Sequence, residues 1–159
     1  MEMIRLHSPA FNEKMVKFWR PVLRVHEYNQ LSTVPQYLSA VILAIGLFPK
    51  PVAVLSILYL ACGDPVASTF GILYGHYGPR ISGDKTWIGT LAGVITCTLI
   101  TYFYLKTQSI PESALLGITI LGGLVGGLAE LVPFEIDDNF TIPVISGFVL
   151  WLAFMVLGV

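Results

Sequence analysis

Apolar positions fall in five long stretches, at about 34 to 48, 51 to 73, 88 to 105, 111 to 132 and 141 to 158, each cut from the next by Pro, Gly or charge. Such runs predict membrane-spanning helices, since a span takes about 20 predominantly apolar residues. The first run is short, so it must tilt, extend N-terminally through Tyr28 to Val34, or insert only in part. Ahead of the runs, "FNEKMVKFWRPVLR" at 11–24 has another period. Phe11, Met15, Phe18, Trp19, Val22 and Leu23 recur at helical spacing, while Glu13, Lys14, Lys17, Arg20 and Arg24 lie mostly opposite. This predicts a helix lying on a membrane surface. The expected fold is therefore all-α: a polytopic membrane helix bundle of about five spans with an N-terminal interfacial helix. Residues 1–33 form a cytosolic or interfacial segment, and residues 34–159 form the transmembrane domain.

Composition narrows the class. Of 159 residues, 55% are hydrophobic and 12% charged, and the mean hydropathy is +0.75; only one membrane domain fits this length. The net charge of −1 says little, but the placement of charge says more. Seven of the nine Lys and Arg lie in the N-terminal segment (Arg5, Lys14, Lys17, Arg20, Arg24) and the 74–87 loop (Arg80, Lys85), against Lys50 and Lys106 in the loops between. The excess marks the cytoplasmic side. Charge spread ahead of any apolar run is not the pattern of a cleavable signal. Cys62 and Cys97 sit inside apolar runs without a partner spacing, as small core residues.

Three stretches carry candidate chemistry. In "YLACGDPVASTFGILYG" (59–75), Asp64 lies deep in an apolar run with Ser68, Gly71 and Gly75 on roughly its face. A carboxylate there pairs, lines a wet cavity or binds a cation; Asp64 ahead of Pro65 also reads as the cap of a broken helix. "GHYGPRISGDKTWIGT" (75–90) puts Arg80 and Lys85 in a Gly-rich loop just before a helix, a setting that favours anions, although an ordinary positive loop fits equally. Finally, Glu130, Glu135, Asp137 and Asp138, four of the ten acidic residues, crowd one junction with Asn139 and with no Lys or Arg beside them in sequence. Such oxygens suit Mg²⁺ shared with substrate phosphates. The fourth run holds Gly122, Gly123, Gly126 and Gly127, two interleaved GxxxG spacings for helix packing, within the chain or against a second copy. His7, His26 and His76 have no partner spacing and read as solvated or satisfied.

"GDPVASTFG", "GDKTWIGT" and above all "DDNFTIPVISG" resemble the dolichol kinase, phytol kinase and CTP-dependent diacylglycerol kinase family, relatives of the CDP-diacylglycerol synthases. The resemblance covers roughly residues 24 to 148 and makes the transmembrane domain kinase-like. It implies a membrane enzyme that moves the γ-phosphoryl group of CTP, or another nucleoside triphosphate, onto a polyprenol, phytol or diacylglycerol hydroxyl with Mg²⁺. By that resemblance Asp64, Lys85, Glu130 and Asp138 are the catalytic set. Asp64, Glu130, Asp137 and Asp138 hold the metal. Gly63, Ser68, Arg80, Thr86, Asn139 and Glu27 bind the nucleotide, Glu27 through an Arg24-x-x-Glu27 pattern. Two positions depart from the related sequences, which usually have Gly-Lys and then Glu: here Asp84 precedes Lys85 and Ile88 replaces the Glu.

The expected partners are the lipid alcohol, the nucleotide and membrane lipids, with a homodimer open and no nucleic acid. The protein is expected to be integral to the membrane, with its N-terminus and site on the cytoplasmic side. Two other readings use the same residues: a cytidylyltransferase like the CDP-diacylglycerol synthases, and a non-catalytic membrane protein whose acidic cluster binds cations.

Overall fold

The computed structural model describes residues 7–19, 33–132 and 137–159. Six helices organise these residues: α1 (Pro9–Trp19), α2 (Thr33–Leu47), α3 (Lys50–Tyr77), α4 (Trp87–Lys106), α5 (Glu112–Leu131) and α6 (Asp138–Leu157). Among the described residues, α3, α4, α5 and α6 are long and apolar enough to cross a membrane, while α2 is a shorter apolar helix. The first apolar run does become a helix, whose described part covers about 22 Å at 1.5 Å per residue; the expected extension through Tyr28 lies outside the described residues. α1 is helical over Pro9–Trp19 as expected ahead of the runs; residues 20–24 of that expected helix lie outside the described residues. Glu13, Lys14 and Lys17 are exposed on it as expected, but so is Phe18, at 73%. The outer faces of the long helices carry Ile72, Leu91, Ile120 and Met155 exposed, the arrangement of a bundle whose solvent is hydrocarbon.

The helix containing Asp64 is not broken. α3 runs through Pro65 because the turn Tyr59–Gly63 widens to a π-helix, where the N–H of Asp64 reaches the carbonyl of Tyr59. Proline supplies no N–H and crowds the carbonyl four residues back; a single widened turn absorbs both effects without ending the helix. Asp64 is thus the first residue after a π turn, and the N-cap position falls on Gly63 instead.

Glycine sets the closest packing. A Cβ on Gly127 would come within 2.7 Å of Val94 Cα, one on Gly126 within 2.8 Å of Cys97 Sγ, and one on Gly122 within 2.8 Å of Thr101 Oγ1. Gly123 packs in the same way on Thr98. The glycine-rich face of α5 is therefore consumed inside the chain, against α4 and Tyr59. Below it Tyr59, Leu55, Leu105, Ile118, Ile142 and Leu150 form the buried core. Cys97 belongs to this core, whereas Cys62 is exposed, so only one of the two cysteines takes the expected place.

The loop between α3 and α4 is partly ordered as a hairpin. β1 (Arg80–Ser82) pairs antiparallel with β2 (Lys85–Thr86), with Arg80 opposite Thr86, Ser82 opposite Lys85 and a bulge between. Gly83 takes φ +53° in the turn, a conformation open to glycine at little cost. The sequence reading has only a Gly-rich loop here, because a ladder this short leaves no alternating pattern to find.

Candidate active site

Antiparallel packing brings the C-terminal parts of α3 and α5 and the N-termini of α4 and α6 to one end of the bundle. The hairpin delivers Lys85 to that end immediately before α4. Thr86 caps α4, its Oγ1 accepting the Gly89 N–H at 3.2 Å. Gly89 must be glycine for α4 to lie this close to α3, since a Cβ would sit 2.7 Å from the Ala67 carbonyl oxygen.

Lys85 Nζ donates to Asp138 Oδ2 at 2.6 Å and to Glu130 Oε2 at 3.2 Å. The second oxygen of Glu130 accepts from Thr90 Oγ1 at 3.0 Å. Glu130 sits on the last, 3-10 turn of α5 (Ala129–Leu131), and its side chain is 5% exposed against 28% for Lys85 and 34% for Asp138. The acidic junction that lacks a basic neighbour in sequence thus acquires one in space. Burial alone would lower the pKa of Lys85, but the hydrogen bond to Asp138 and the charges of Glu130 and Asp138 outweigh it and hold the ammonium above its ordinary value.

Beside this ion pair lies a cavity of about 590 Å³ whose walls include Lys85, Glu130, Thr90, Thr86, Arg80 and Ser68, with Gly71, Gly75 and His76. Cavities of about 300–1,000 Å³ take small ligands. Ser68, Gly71 and Gly75 do share one face, and it is the face toward this cavity. Asp64 instead borders a second, water-sized space of about 10 Å³, together with Gly63, Gly126, Gly127 and Glu130. Gly63 is also a packing residue, since a Cβ there would lie 2.6 Å from Cys97 Sγ.

Other expected members have local roles. Asp137 caps α6, its Oδ1 accepting the Asn139 N–H at 2.9 Å and bonding the Asn139 side-chain amide as well. Arg80 pairs with Asp84 at 3.5 Å, both well exposed, so Asp84 turns to Arg80 although it adjoins Lys85 in sequence. Glu27, Arg24 and Glu135 lie outside the described residues. Among the described residues no three His, Cys, Asp or Glu side chains gather as a ready metal cage. Two polar residues of the site were given no site role from the sequence: His76, read as solvated or satisfied but a cavity wall, and Thr90, the final residue of "GDKTWIGT".

The chain is 38% identical over 164 residues to "CTP-dependent diacylglycerol kinase 1" of Eremothecium gossypii, covering 92% of this chain and 52% of that protein. It is 32% identical over 163 residues to the protein of the same name in Schizosaccharomyces pombe, covering 95% of this chain and 73% of that one. The chain belongs to the CTP-dependent diacylglycerol kinase family. A second member, from Saccharomyces cerevisiae, is 32% identical, with 57% of its length covered, so the chain spans little more than half of the first two relatives named diacylglycerol kinase. "Probable phytol kinase, chloroplastic" of Triticum aestivum is 26% identical over 90% of this chain and 50% of its own length. No protein-family model matches the chain, and no solved structure matches it significantly. Membership of the diacylglycerol kinase family agrees with the resemblance carried by "GDPVASTFG", "GDKTWIGT" and "DDNFTIPVISG".

Proposed function

We propose that this chain transfers the γ-phosphoryl group of CTP to the hydroxyl of a lipid held in the membrane, diacylglycerol before phytol. The observation that carries this reading is Lys85 ion-paired with both Glu130 and Asp138 at the wall of the cavity. The names of its fungal relatives supply the donor and the preferred acceptor.

Phosphoryl transfer demands positioning and charge neutralisation more than covalent chemistry. In the proposed step the acceptor hydroxyl oxygen bonds to the γ-phosphorus, the bond from that phosphorus to the β-bridging oxygen breaks, and CDP leaves. The hydroxyl proton passes to Asp138, the more exposed of the two carboxylates. Lys85 and Arg80 hold the phosphates, and Ser68 and Thr86 border them in the same cavity. Glu130, fixed by two donors, stays the anchored carboxylate. The carboxylate oxygens fit Mg²⁺, which takes one or two protein carboxylates and completes its shell with phosphate oxygens and water. Glu130 would hold it, with Asp64 and Asp137 nearby, and when bound it would neutralise charge on the triphosphate. The lipid enters between helices, its chains in hydrocarbon and its hydroxyl at the end that carries Arg80 and Lys85, the end assigned here to the cytoplasm.

The test uses purified protein in detergent with Mg²⁺, diacylglycerol, phytol, farnesol and longer polyprenols, and CTP labelled at the α or the γ phosphate. Label from the γ position in diacylglycerol is the expected result. Label from the α position would make the protein a cytidylyltransferase. Neither label moving, with ATP also tried, would end the kinase reading and leave the acidic cluster as a cation site.

A further inference from the structure

We infer that Thr90 is a positioning residue of this site, setting the orientation of Glu130 and through it the binding of Mg²⁺ with CTP; the inference rests on the kinase reading above. The argument begins with the four threonines of α4. Thr96, Thr98 and Thr101 turn their hydroxyls back on the carbonyls of Ala92, Val94 and Cys97, four residues earlier. This is the ordinary way for threonine to satisfy itself inside a helix, above all where the surroundings are apolar. Thr90 departs from it. Its Oγ1 donates instead to Glu130 Oε1, 40 positions away on α5, at 3.0 Å.

Thr90 is 4% exposed, and Glu130 is nearly as buried. A buried carboxylate is costly unless its oxygens are bonded. Here each oxygen has its own donor, Thr90 on Oε1 and Lys85 on Oε2, and two donors at opposite corners define the carboxylate plane. Both donors come from one corner of the fold, the junction of β2 and α4, which the Thr86 cap and the close approach of Gly89 to α3 hold in place. When Lys85 turns toward phosphate, Thr90 is the contact that keeps Glu130 aimed. Hydrogen bonds of this kind behind a metal-binding carboxylate are worth about 10–100-fold in metal affinity or activity.

The test compares Thr90→Val, which keeps the shape and loses the hydroxyl, with Thr90→Ser, which keeps the hydroxyl. Thr90→Ala replaces the Val variant if that protein does not accumulate. With diacylglycerol and CTP, the Val variant should need about 10-fold more Mg²⁺ for half-maximal rate and show a matching rise in KM for CTP. Its KM for diacylglycerol should stay within about twofold, and the Ser variant should match the wild type. A second readout needs no turnover: the rise in melting temperature produced by Mg²⁺ with CTP should shrink in the Val variant and persist in the Ser variant. An unchanged Mg²⁺ requirement in the Val variant, or a Ser variant equally impaired, would overturn the proposal, since loss without regard to the hydroxyl means packing alone. If the wild type transfers no phosphate yet is stabilised by Mg²⁺ with CTP, the kinase reading fails and the melting comparison still decides the role of Thr90. No stabilisation in the wild type would overturn both.

Discussion

Lys85 and Asp138 lie 53 positions apart in the chain, and their Nζ and Oδ2 atoms lie 2.6 Å apart in the fold. With Glu130 on the same ammonium, Lys85 is where helices α5 and α6 meet the hairpin electrostatically. Lys85→Met should cost about 1–2 kcal/mol, because it strands two carboxylates, with the loss moderated by the partial exposure of Lys85 and Asp138. Detergent unfolding in the absence of nucleotide measures it. Added Mg²⁺ should restore part of the lost stability in this variant, and a variant as stable as the wild type would show that the ion pair is idle.

The raised pKa of Lys85 gives that contribution a pH window. A group whose folded pKa lies above its unfolded value stabilises fully below the unfolded value, about 10.5 for lysine, and loses its effect as pH rises through the folded one. The stability gap between wild type and Lys85→Met should therefore show no decline due to Lys85 from pH 7 to about 9.5 and close only beyond about 10.5. A gap that closes near pH 8 would contradict the assignment.

Asp138→Asn keeps an oxygen for Lys85 but removes the proposed proton acceptor. Transfer of the γ label should fall by about 10²-fold or more, the usual scale for a general base. The melting temperature should fall less than in Lys85→Met, since Lys85 keeps Glu130 and an oxygen at position 138. Unimpaired transfer would move the base elsewhere, with Glu130 next to be examined.

Two glycines on one helix give a packing test with its own control. Gly127→Ala drives a methyl into the backbone of Val94, while nothing lies within 4 Å of a Cβ on Gly117. The first should destabilise by about 1–3 kcal/mol; the second should be neutral or stabilise by up to about 1 kcal/mol through helix propensity. Equal melting temperatures for the two variants would show that α4 and α5 do not pack as described.

Tyr59 and Thr101 hydrogen-bond across the core, with their oxygens 2.5 Å apart, and Thr101 also bonds the Cys97 carbonyl. Tyr59→Phe leaves Thr101 with that carbonyl, so no donor is stranded. The loss should be only about 0.5–1.5 kcal/mol in unfolding, and a larger one would mean that the core repacks around the ring.

The helices were legible because hydropathy is local. The runs at 51 to 73, 88 to 105, 111 to 132 and 141 to 158 each became a long helix, with boundaries near Pro, Gly and charge. The run at 34 to 48 also became helical, over the described residues Thr33–Leu47. Pro65 misled the reading of α3, because the sequence marks where a helix is strained but not whether a π turn will absorb the strain. The hairpin at 80–86 escaped notice because two short strands carry too few residues to show a period.

The sequence by itself determined a membrane bundle, a family and the residues with chemistry to offer, since composition, period and motif are properties of neighbours along the chain. Only the tertiary structure decided their partnerships. Lys85 meets Glu130 across 45 positions and Asp138 across 53, Thr90 reaches Glu130 while the other threonines of α4 bond carbonyls of their own helix, and Gly122, Gly123, Gly126 and Gly127 pack on α4. Those outcomes depend on how closely and in what register the helices pack. Register follows from the shapes of all facing side chains together, which no single stretch of the chain contains.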